Sequence, residues 1–212
     1  MFGTHDLWLF VLSGLLLNLT PGPDTLYIVS RSSTQGWRAG AVAALAIGAG
    51  TLVHIAAAAL GLSAILAASA TAFTAVKIAG AAYLLYVGVS LIRSAGKEPA
   101  STSAVSVRPA SIRGIFAQGF LTNVLNPKVA LFFLAFLPQF VAADASSKAA
   151  AFLLLGLIFN FNGTIYNLAV AWSAAKLSST LAPGNAFKRR FNRCVGGLFI
   201  AIGIRLALTH EH

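Results

Sequence analysis

Six long apolar runs, separated by short polar segments, set the pattern of the chain. Each run is about 20 residues long, which is the length an α-helix needs to cross a bilayer. The runs are continuous rather than alternating, and this favours helices over the strands of a membrane barrel. They occupy roughly residues 6–28, 39–61, 70–92, 115–141, 149–172 and 191–208. The pattern predicts an all-α polytopic membrane protein, with six transmembrane helices in one membrane domain that covers residues 1–212.

Composition supports a membrane location. Of the 212 residues, 58% are hydrophobic and 9% are charged, which is unlike a water-soluble domain. Most Lys and Arg residues follow the first, third and fifth runs, so the positive-inside rule predicts that both termini face outward. The net charge of +10 therefore indicates topology and contact with anionic lipid, rather than binding of nucleic acid. The first run has no basic residues before it and no cleavage pattern after it, so we expect it to be retained.

The chain shows signs of internal repetition. Residues 94–111, rich in Ser, Ala and Pro, read as a cytoplasmic linker between a first three-helix repeat, 5–93, and a second, 112–208. Three short matches recur in the same order in both halves: Pro23-Asp24 with Pro127-Lys128, Gly50–His54 with Gly163–Asn167, and Gly80/Gly88 with Gly196/Gly203. Because each repeat has an odd number of spans, the second enters the membrane inverted, as in many secondary transporters.

The segment NLTPGPD interrupts the first apolar run. Pro21 and Pro23 lack backbone donors, and Gly22 allows a sharp bend, so we expect the first helix to break there. Unpaired backbone groups are tolerated in a membrane only where protein or a wet cavity supplies partners. The broken helix therefore predicts a cavity. The fourth run has a similar polar interruption with a proline, and we expect it to break there, at Asn123, Asn126, Pro127 and Lys128.

Asp24 and Lys128 are charges inside these two predicted spans. A charge in a span is costly, so each needs a partner or a wet site. If the halves are inverted repeats, the two side chains lie close together, and Asp24 could bind an ammonium group while Lys128, or the amides after Asn126, binds a carboxylate. Two alternatives stay open: a structural ion pair between helices, and Lys128 extending to the cytoplasmic interface.

Further polar residues lie in the second and fifth runs. His54 could exchange a proton during transport, as could Asp24, although a lone membrane histidine is often an ordinary interhelical contact. Asn160 and Asn167 are seven residues apart and share a helix face, which we expect to line the cavity or to form hydrogen bonds between helices.

Three segments together resemble the LysE/RhtB family of amino-acid exporters: LTPGPDTLYIVSRSSTQGWRAG, AYLLYVGVSLIRS and FAQGFLTNVLNPKVALFFLAFLPQFV. The resemblance covers nearly the whole chain. It implies a bacterial inner-membrane exporter of amino acids or close derivatives, driven by the proton gradient, and it leaves a homodimer open. The family's motif positions correspond here to Pro21, Gly22, Pro23 and Asp24 in the first half, and to Asn126, Pro127 and Lys128 in the second.

The function that fits these features is secondary-active export of a small amino acid by alternating access. Because the membrane runs hold a single acid, neutral, hydroxylated or branched substrates are favoured over basic ones. A divalent metal or cation transporter of similar layout is the alternative, but it would need clustered ligands, and no metal site is expected beside Lys128. A structural membrane protein also stays open. No enzyme activity or cofactor is expected, since Cys194 is the single cysteine and no span holds a hydrolytic triad.

Overall fold

The computed structural model describes residues 3–20, 22–64, 109–142 and 144–176, with isolated helical positions between 71 and 93 and between 197 and 204. Five α-helices lie in the continuous stretches: α1 (Leu7–Leu19), α2 (Pro23–Ala57), α3 (Ile112–Val124), α4 (Pro127–Leu131) and α5 (Lys148–Lys176). A π-helical turn, Ala58–Leu62, extends α2, and a π-helical turn, Phe132–Phe136, and a 3-10 turn, Leu137–Phe140, extend α4.

Several predictions made from the sequence concern residues that the structure does not describe. Most of the predicted linker 94–111, most of the runs 70–92 and 191–208, and the third pair of repeat matches lie outside the described residues. The fold is helical throughout the part of the chain that the structure describes, where β-pairing is confined to a single bridge between Thr4 and Val141.

The chain changes from α1 to α2 at the proline motif. α1 ends at Leu19, and Thr20 adopts an extended backbone, with its hydroxyl group donating to the Leu16 carbonyl oxygen at 3.0 Å. Gly22 is also extended, and Pro23 then occupies the first turn of α2. Proline is favoured there because the amides of a first helical turn have no partner within the helix.

α2 folds back on itself at Gly36. This glycine has φ 81°, in the region that other residues rarely adopt, and it divides α2 into two helical segments. A methyl group on Gly40 would overlap Ser32 Oγ and lie 2.9 Å from Ser32 Cβ. In a continuous helix, residues eight apart are separated by about 12 Å. The two segments of α2 therefore form a tight hairpin rather than one long rod.

α3 and α4 form a second bent pair. Ser111 begins α3, accepting a hydrogen bond from the Gly114 amide at 3.2 Å, and the bend between the two helical parts is 43°. At the start of α4, Asn126 Oδ1 accepts from the Lys128 amide at 3.0 Å, which satisfies one of the amides exposed by the bend.

Two apolar clusters hold these elements together. The aromatic cluster packs α1 against the extension of α4 and the first half of α5; its phenylalanines are Phe10, Phe132, Phe133, Phe136, Phe140, Phe152 and Phe159. The small-residue cluster packs both segments of α2 against α3 and the end of α5; it consists of Ile28, Ala39, Ala43, Ala44, Ile47, Ile115 and Ala171. The small side chains of the second cluster allow the helix backbones to approach closely.

The outer surface of α5 is apolar along its length. Leu153, Leu157, Phe161 and Ile165 recur every fourth residue and are 44–68% exposed. Two described stretches, Pro23–Leu62 with its reversal at Gly36 and Lys148–Lys176, each contain a segment long and apolar enough to cross a membrane, and the bent pair of α3 and the α4 segment would be a third. A continuous apolar stripe facing outward suits contact with lipid, and the protein is a helical membrane protein.

Gly50 permits the closest approach between α2 and α3. A Cβ at this position would lie 2.8 Å from Asn123 Cβ and 2.9 Å from the Phe120 carbonyl oxygen. We expect Gly50→Ala to lower the thermal unfolding temperature of the detergent-purified protein, since overpacking of this kind costs about 1–3 kcal/mol.

Gly61→Ala is the matched control for this substitution. No described atom lies within 4 Å of a Cβ there, and alanine is the better helix former. An unfolding temperature that falls equally in both variants would contradict the close approach at Gly50.

Candidate functional site

A small polar cavity lies between the aromatic cluster and the small-residue cluster. Its volume is about 30 Å³, and it is bounded by α1, both segments of α2, the α3–α4 bend and α5. The polar part of its lining consists of Asn18, Asp24, Thr25, Thr51, Asn123, Asn126, Lys128, Asn160, Thr164 and Asn167. Both helix breaks thus contribute to a single site inside an apolar bundle.

Asp24 supplies the carboxylate of this site. It lies in the first turn of α2, and its Oδ2 accepts a hydrogen bond from Asn123 Nδ2 at 2.8 Å. Its other oxygen, Oδ1, is buried and has no hydrogen-bond partner in the described part of the protein. Negative charge is favourable at a helix N-terminus, so the fold positions Asp24 while leaving one strong acceptor available.

Lys128 is bound to the end of α1. Its Nζ donates to the carbonyl oxygens of Leu17 and Thr20, both at 2.7 Å. These carbonyls lie at the C-terminal end of a helix, where the helix dipole attracts a cation, and the Leu17 oxygen also accepts from the Thr20 amide at 3.1 Å. Asp24 and Lys128 line the same cavity, but no direct ion pair joins them within the described stretches.

Asn123 connects Asp24 to the second segment of α2. It is 1% exposed, and Thr51 Oγ1 lies 3.3 Å from its Oδ1. His54 Nε2 lies 3.1 Å from the Asn123 carbonyl oxygen. A single buried asparagine thus contacts two parts of α2 that are far apart in sequence, and it joins them to the α3–α4 bend.

His54 borders a different cavity. Its ring stacks on Phe133, with 5.8 Å between the ring centroids, beside an apolar space of about 370 Å³. His54 does not line the polar cavity, and its link to Asp24 runs through Asn123. The geometry makes it an interhelical contact next to the site.

One face of α5 closes the polar cavity. Asn160, Thr164 and Asn167 follow at positions i, i+4 and i+7, and all three line the site. Gly48 of α2 faces them, because a Cβ there would lie 2.9 Å from Thr164 Oγ1 and 3.4 Å from Asn160 Oδ1. A glycine at this position keeps the polar face of α5 in contact with the cavity.

Polar contacts between α2 and α3 close the site on one side. Tyr27 Oη donates to the Ile115 carbonyl oxygen at 2.8 Å, and an Arg31 guanidinium nitrogen donates to Gln118 Oε1 at 2.7 Å. Further along, Gln35 Nε2 donates to the Ala110 carbonyl oxygen at 2.9 Å. Because Asp24 pairs with Asn123 and Gln35 pairs with Ala110, the first segment of α2 and α3 run antiparallel.

The aromatic cluster closes the opposite side. Phe132 and Phe159 stack with 4.4 Å between their ring centroids, and Phe159 also lines the cavity. Beyond them, the His5 amide donates to the Phe140 carbonyl oxygen at 3.1 Å. A space of about 30 Å³ holds roughly two water molecules, so any larger ligand requires one side to open.

The site residues selected from the sequence have different locations. Gly22, Asp24, Asn123, Asn126, Lys128, Asn160 and Asn167 line the polar cavity. Pro23 and Pro127 begin α2 and α4 without lining it, His54 lies beside it, and Pro21 is outside the described residues.

Sequence reasoning missed Asn18, Thr25, Thr51 and Thr164, which also line the cavity. Thr164 could have been found from its helical spacing to Asn160 and Asn167. Asn18 has no such signal, because it is a single amide at the end of an apolar run.

The donor set suits a polar organic ligand better than a metal ion. No group of three or more His, Cys, Asp or Glu side chains in the described stretches could hold a metal. The ammonium group of Lys128 also lies in the cavity and would repel a cation. The site offers one carboxylate, several amides and hydroxyls, and no nucleophile held by a neighbouring base among the described contacts.

A bundle of apolar helices that enclose a closed polar site is the arrangement of a membrane transporter. The chain matches the LysE type translocator family over residues 15–210, and it belongs to that family. The family assignment excludes a purely structural protein and an enzyme.

Individual relatives match this chain over nearly its full length. The chain is 30% identical to an uncharacterized membrane protein of Pseudomonas aeruginosa, covering 97% of this chain and 96% of the relative. It is 27% identical to a leucine efflux protein of Enterobacter sp. strain 638, with 99% and 98% covered. It is 31% identical to a homoserine/homoserine lactone efflux protein of Salmonella typhimurium, with 96% and 97% covered. No solved structure matches the chain.

Removing Asn123 should destabilise the bundle. Asn123→Ala deletes the donor to Asp24, and a hydrogen bond to a charged group contributes about 1.5–3 kcal/mol. We expect a lower thermal unfolding temperature in detergent. The control is Thr122→Ala, since the Thr122 hydroxyl group bonds within its own helix, to the Gln118 carbonyl oxygen at 2.7 Å. Equal unfolding temperatures for both variants would show that Asn123 does not connect the helices.

Proposed function

We propose that the protein exports neutral amino acids, or derivatives that keep a free α-ammonium group, across the bacterial inner membrane. The observation that carries the proposal is the unpaired Oδ1 of Asp24 in a closed polar cavity. A buried acceptor without a protein partner costs stability unless water or a ligand satisfies it. An ammonium group is the ligand that suits a carboxylate best.

The named relatives support an ammonium-binding site. Leucine, homoserine and homoserine lactone differ in their side chains, and the lactone lacks a free carboxylate, but all three carry an α-ammonium group. Asp24 is the carboxylate that lines the described cavity, where no second acid is present to bind a basic side chain. This composition favours apolar or hydroxylated side chains over those of lysine and arginine.

The proposed topology is six spans in two inverted repeats, 5–93 and 112–208. α1 with the first segment of α2 would form the first span, broken at Thr20–Gly22, and α3 with α4 and its extension would form the fourth, broken at Leu125–Asn126. The antiparallel contacts of α2 with α3 support this pairing of opposite spans. Both termini would face outward, so the side closed by Gln35 and Ala110 would face the cytoplasm.

Alternating access follows from a site that is closed on two sides. Separation of α2 from α3 at the polar contacts would admit substrate from the cytoplasm. Separation within the aromatic cluster would release it outward. Rocking of one repeat against the other can accomplish both movements around a fixed site.

Proton coupling would act through competition at Asp24. A protonated carboxyl group no longer attracts an ammonium group, so a proton that arrives from outside would help to release the substrate there. The same proton would leave toward the cytoplasm before the next substrate binds. His54 lies outside the cavity, so we assign the coupling to Asp24 rather than to His54.

Replacement of Asp24 tests the proposed binding site. Asp24→Asn keeps the size of the side chain and removes its charge. In cells preloaded with labelled leucine or homoserine, we expect the protein-dependent efflux rate to fall at least about tenfold, since a hydrogen bond to a charged partner contributes about 1.5–3 kcal/mol.

Asp144→Asn is the matched control, because Asp144 is an exposed acid outside the cavity. Membrane levels of both variants are compared by immunoblot. Efflux by Asp24→Asn at the wild-type rate would rule out the proposed site.

Assignment of the proton to Asp24 makes a separate prediction for His54. In vesicles that contain the purified protein, an imposed pH gradient should accelerate movement of substrate in the direction opposite to the protons. We expect His54→Gln to retain this acceleration and Asp24→Asn to lose it. Loss of the acceleration in His54→Gln, with substrate exchange preserved, would instead assign the coupling to His54.

A further inference from the structure

The geometry points to Asn18 as the residue that binds the substrate carboxylate, in place of Lys128. Asn18 lies near the end of α1 and lines the cavity together with Asp24. Its Nδ2 is buried and has no hydrogen-bond partner in the stretches that the structure describes. This inference rests on the proposed function, since it identifies the second contact of the same substrate.

The first step of the argument is the state of Lys128. Two of the three donors of its ammonium group are directed at the carbonyl oxygens of Leu17 and Thr20. These bonds hold the end of α1, where the backbone would otherwise lack partners inside an apolar bundle. Binding a carboxylate through these two donors would remove the Lys128 hydrogen bond from the Thr20 carbonyl oxygen and leave the Leu17 carbonyl oxygen with the Thr20 amide as its donor. Lys128 is thus a positioning residue that holds the helix break.

The second step is the pair of unpaired groups in one cavity. Asp24 Oδ1 is an acceptor and Asn18 Nδ2 is a donor, and both are buried without partners among the described residues. A zwitterion presents the complementary groups, because its ammonium donates and its carboxylate accepts. One amino acid that spans the cavity would satisfy both. The same two groups would not both be satisfied by a simple amine or by a simple acid.

The third step is the space in front of Asn18. A Cβ at position 163 would lie 3.2 Å from Asn18 Nδ2, so Gly163 of α5 leaves room at the amide. At Gly22, by contrast, a Cβ would lie 3.6 Å from Lys128 Cδ, which is an ordinary van der Waals contact. Asn18 and Gly163 both line the cavity, so the amide borders the space that a ligand would occupy.

The experiment compares two probes that differ at the carboxylate. The purified full-length protein is placed in lipid vesicles, and uptake of labelled leucine into vesicles loaded with unlabelled leucine is measured. Unlabelled leucine and leucinamide then compete; both carry the ammonium group, and only leucine carries a carboxylate. Homoserine and its amide form a second pair of probes. The readout is the ratio of the two inhibitory concentrations.

We expect the wild type to prefer leucine, and Asn18→Leu to lose this preference. The variant should need about tenfold more leucine for the same inhibition, the effect of losing a hydrogen bond to a charged group, while inhibition by leucinamide weakens less, because its carboxamide oxygen is an uncharged and weaker acceptor. Asn18→Asp preserves the shape of the side chain, and it should weaken inhibition by leucine further, because its carboxylate repels the carboxylate of leucine. This variant also serves as the test if Asn18→Leu does not fold.

Lys128→Met is the comparison for the alternative. This variant should lower the thermal unfolding temperature and weaken inhibition by leucine and by leucinamide equally, so that the ratio of the two inhibitory concentrations is preserved. A ratio that persists in both Asn18 variants, or that disappears in Lys128→Met alone, would overturn the inference and leave the proposed function intact. Absence of uptake by the wild type for both amino acids would instead overturn the proposed function, and the inference with it.

Discussion

The backbone carbonyl groups at the end of α1 need hydrogen-bond partners, and the rest of the site depends on how they obtain them. α1 ends within the bundle, where water does not supply these partners. Lys128, from the opposite half of the chain, donates to two of the carbonyl oxygens. The second half of the chain therefore contributes to the stability of the break in the first half.

The reverse dependence holds as well. Asn126 caps the start of α4 and lines the cavity, while Asn123, just before the bend, donates to Asp24 at the start of α2. Each break thus supplies side chains that complete the other. A bundle built in this way keeps polar groups at its centre without exposing them to lipid, and the cost of burying them is offset by contacts across the two halves.

Much of the site could be predicted from the sequence because its residues conflict with an apolar environment. Prolines, a carboxylate and a lysine in apolar runs are costly, so their presence indicated a break and a cavity. The reversal at Gly36 was harder to place, since Ser, Thr and Gln before it and Trp and Arg after it are compatible with helix. The binding of Lys128 to the end of α1 could not be predicted from the sequence, because it depends on which carbonyls the fold places beside its ammonium group.

The unpaired state of Asn18 could not be predicted from the sequence either. A single amide in an apolar run is usually paired, and its lack of a partner follows from the position of Gly163 and α5 rather than from any local pattern. The two π-helical turns also have no signal in the sequence. They shift the helix register next to the aromatic cluster, so their effect depends on packing.

The two closures of the cavity differ in the cost of opening them. Separation of α2 from α3 exchanges the hydrogen bonds of Tyr27, Arg31 and Gln35 for bonds to water, so the net loss is about 0.5–1.5 kcal/mol for each bond. Separation of the aromatic rings exposes apolar area, at about 25 cal/mol for each Å² and with no compensating bonds. Separation of α2 from α3 also exposes the small-residue cluster, but its side chains are alanines and isoleucines where the other cluster holds seven phenylalanines, so the polar side should open more readily. If that side faces the cytoplasm and a proton gradient drives export, as proposed, the empty protein is poised to load substrate from the cell, and the outward step is the one that the gradient would drive.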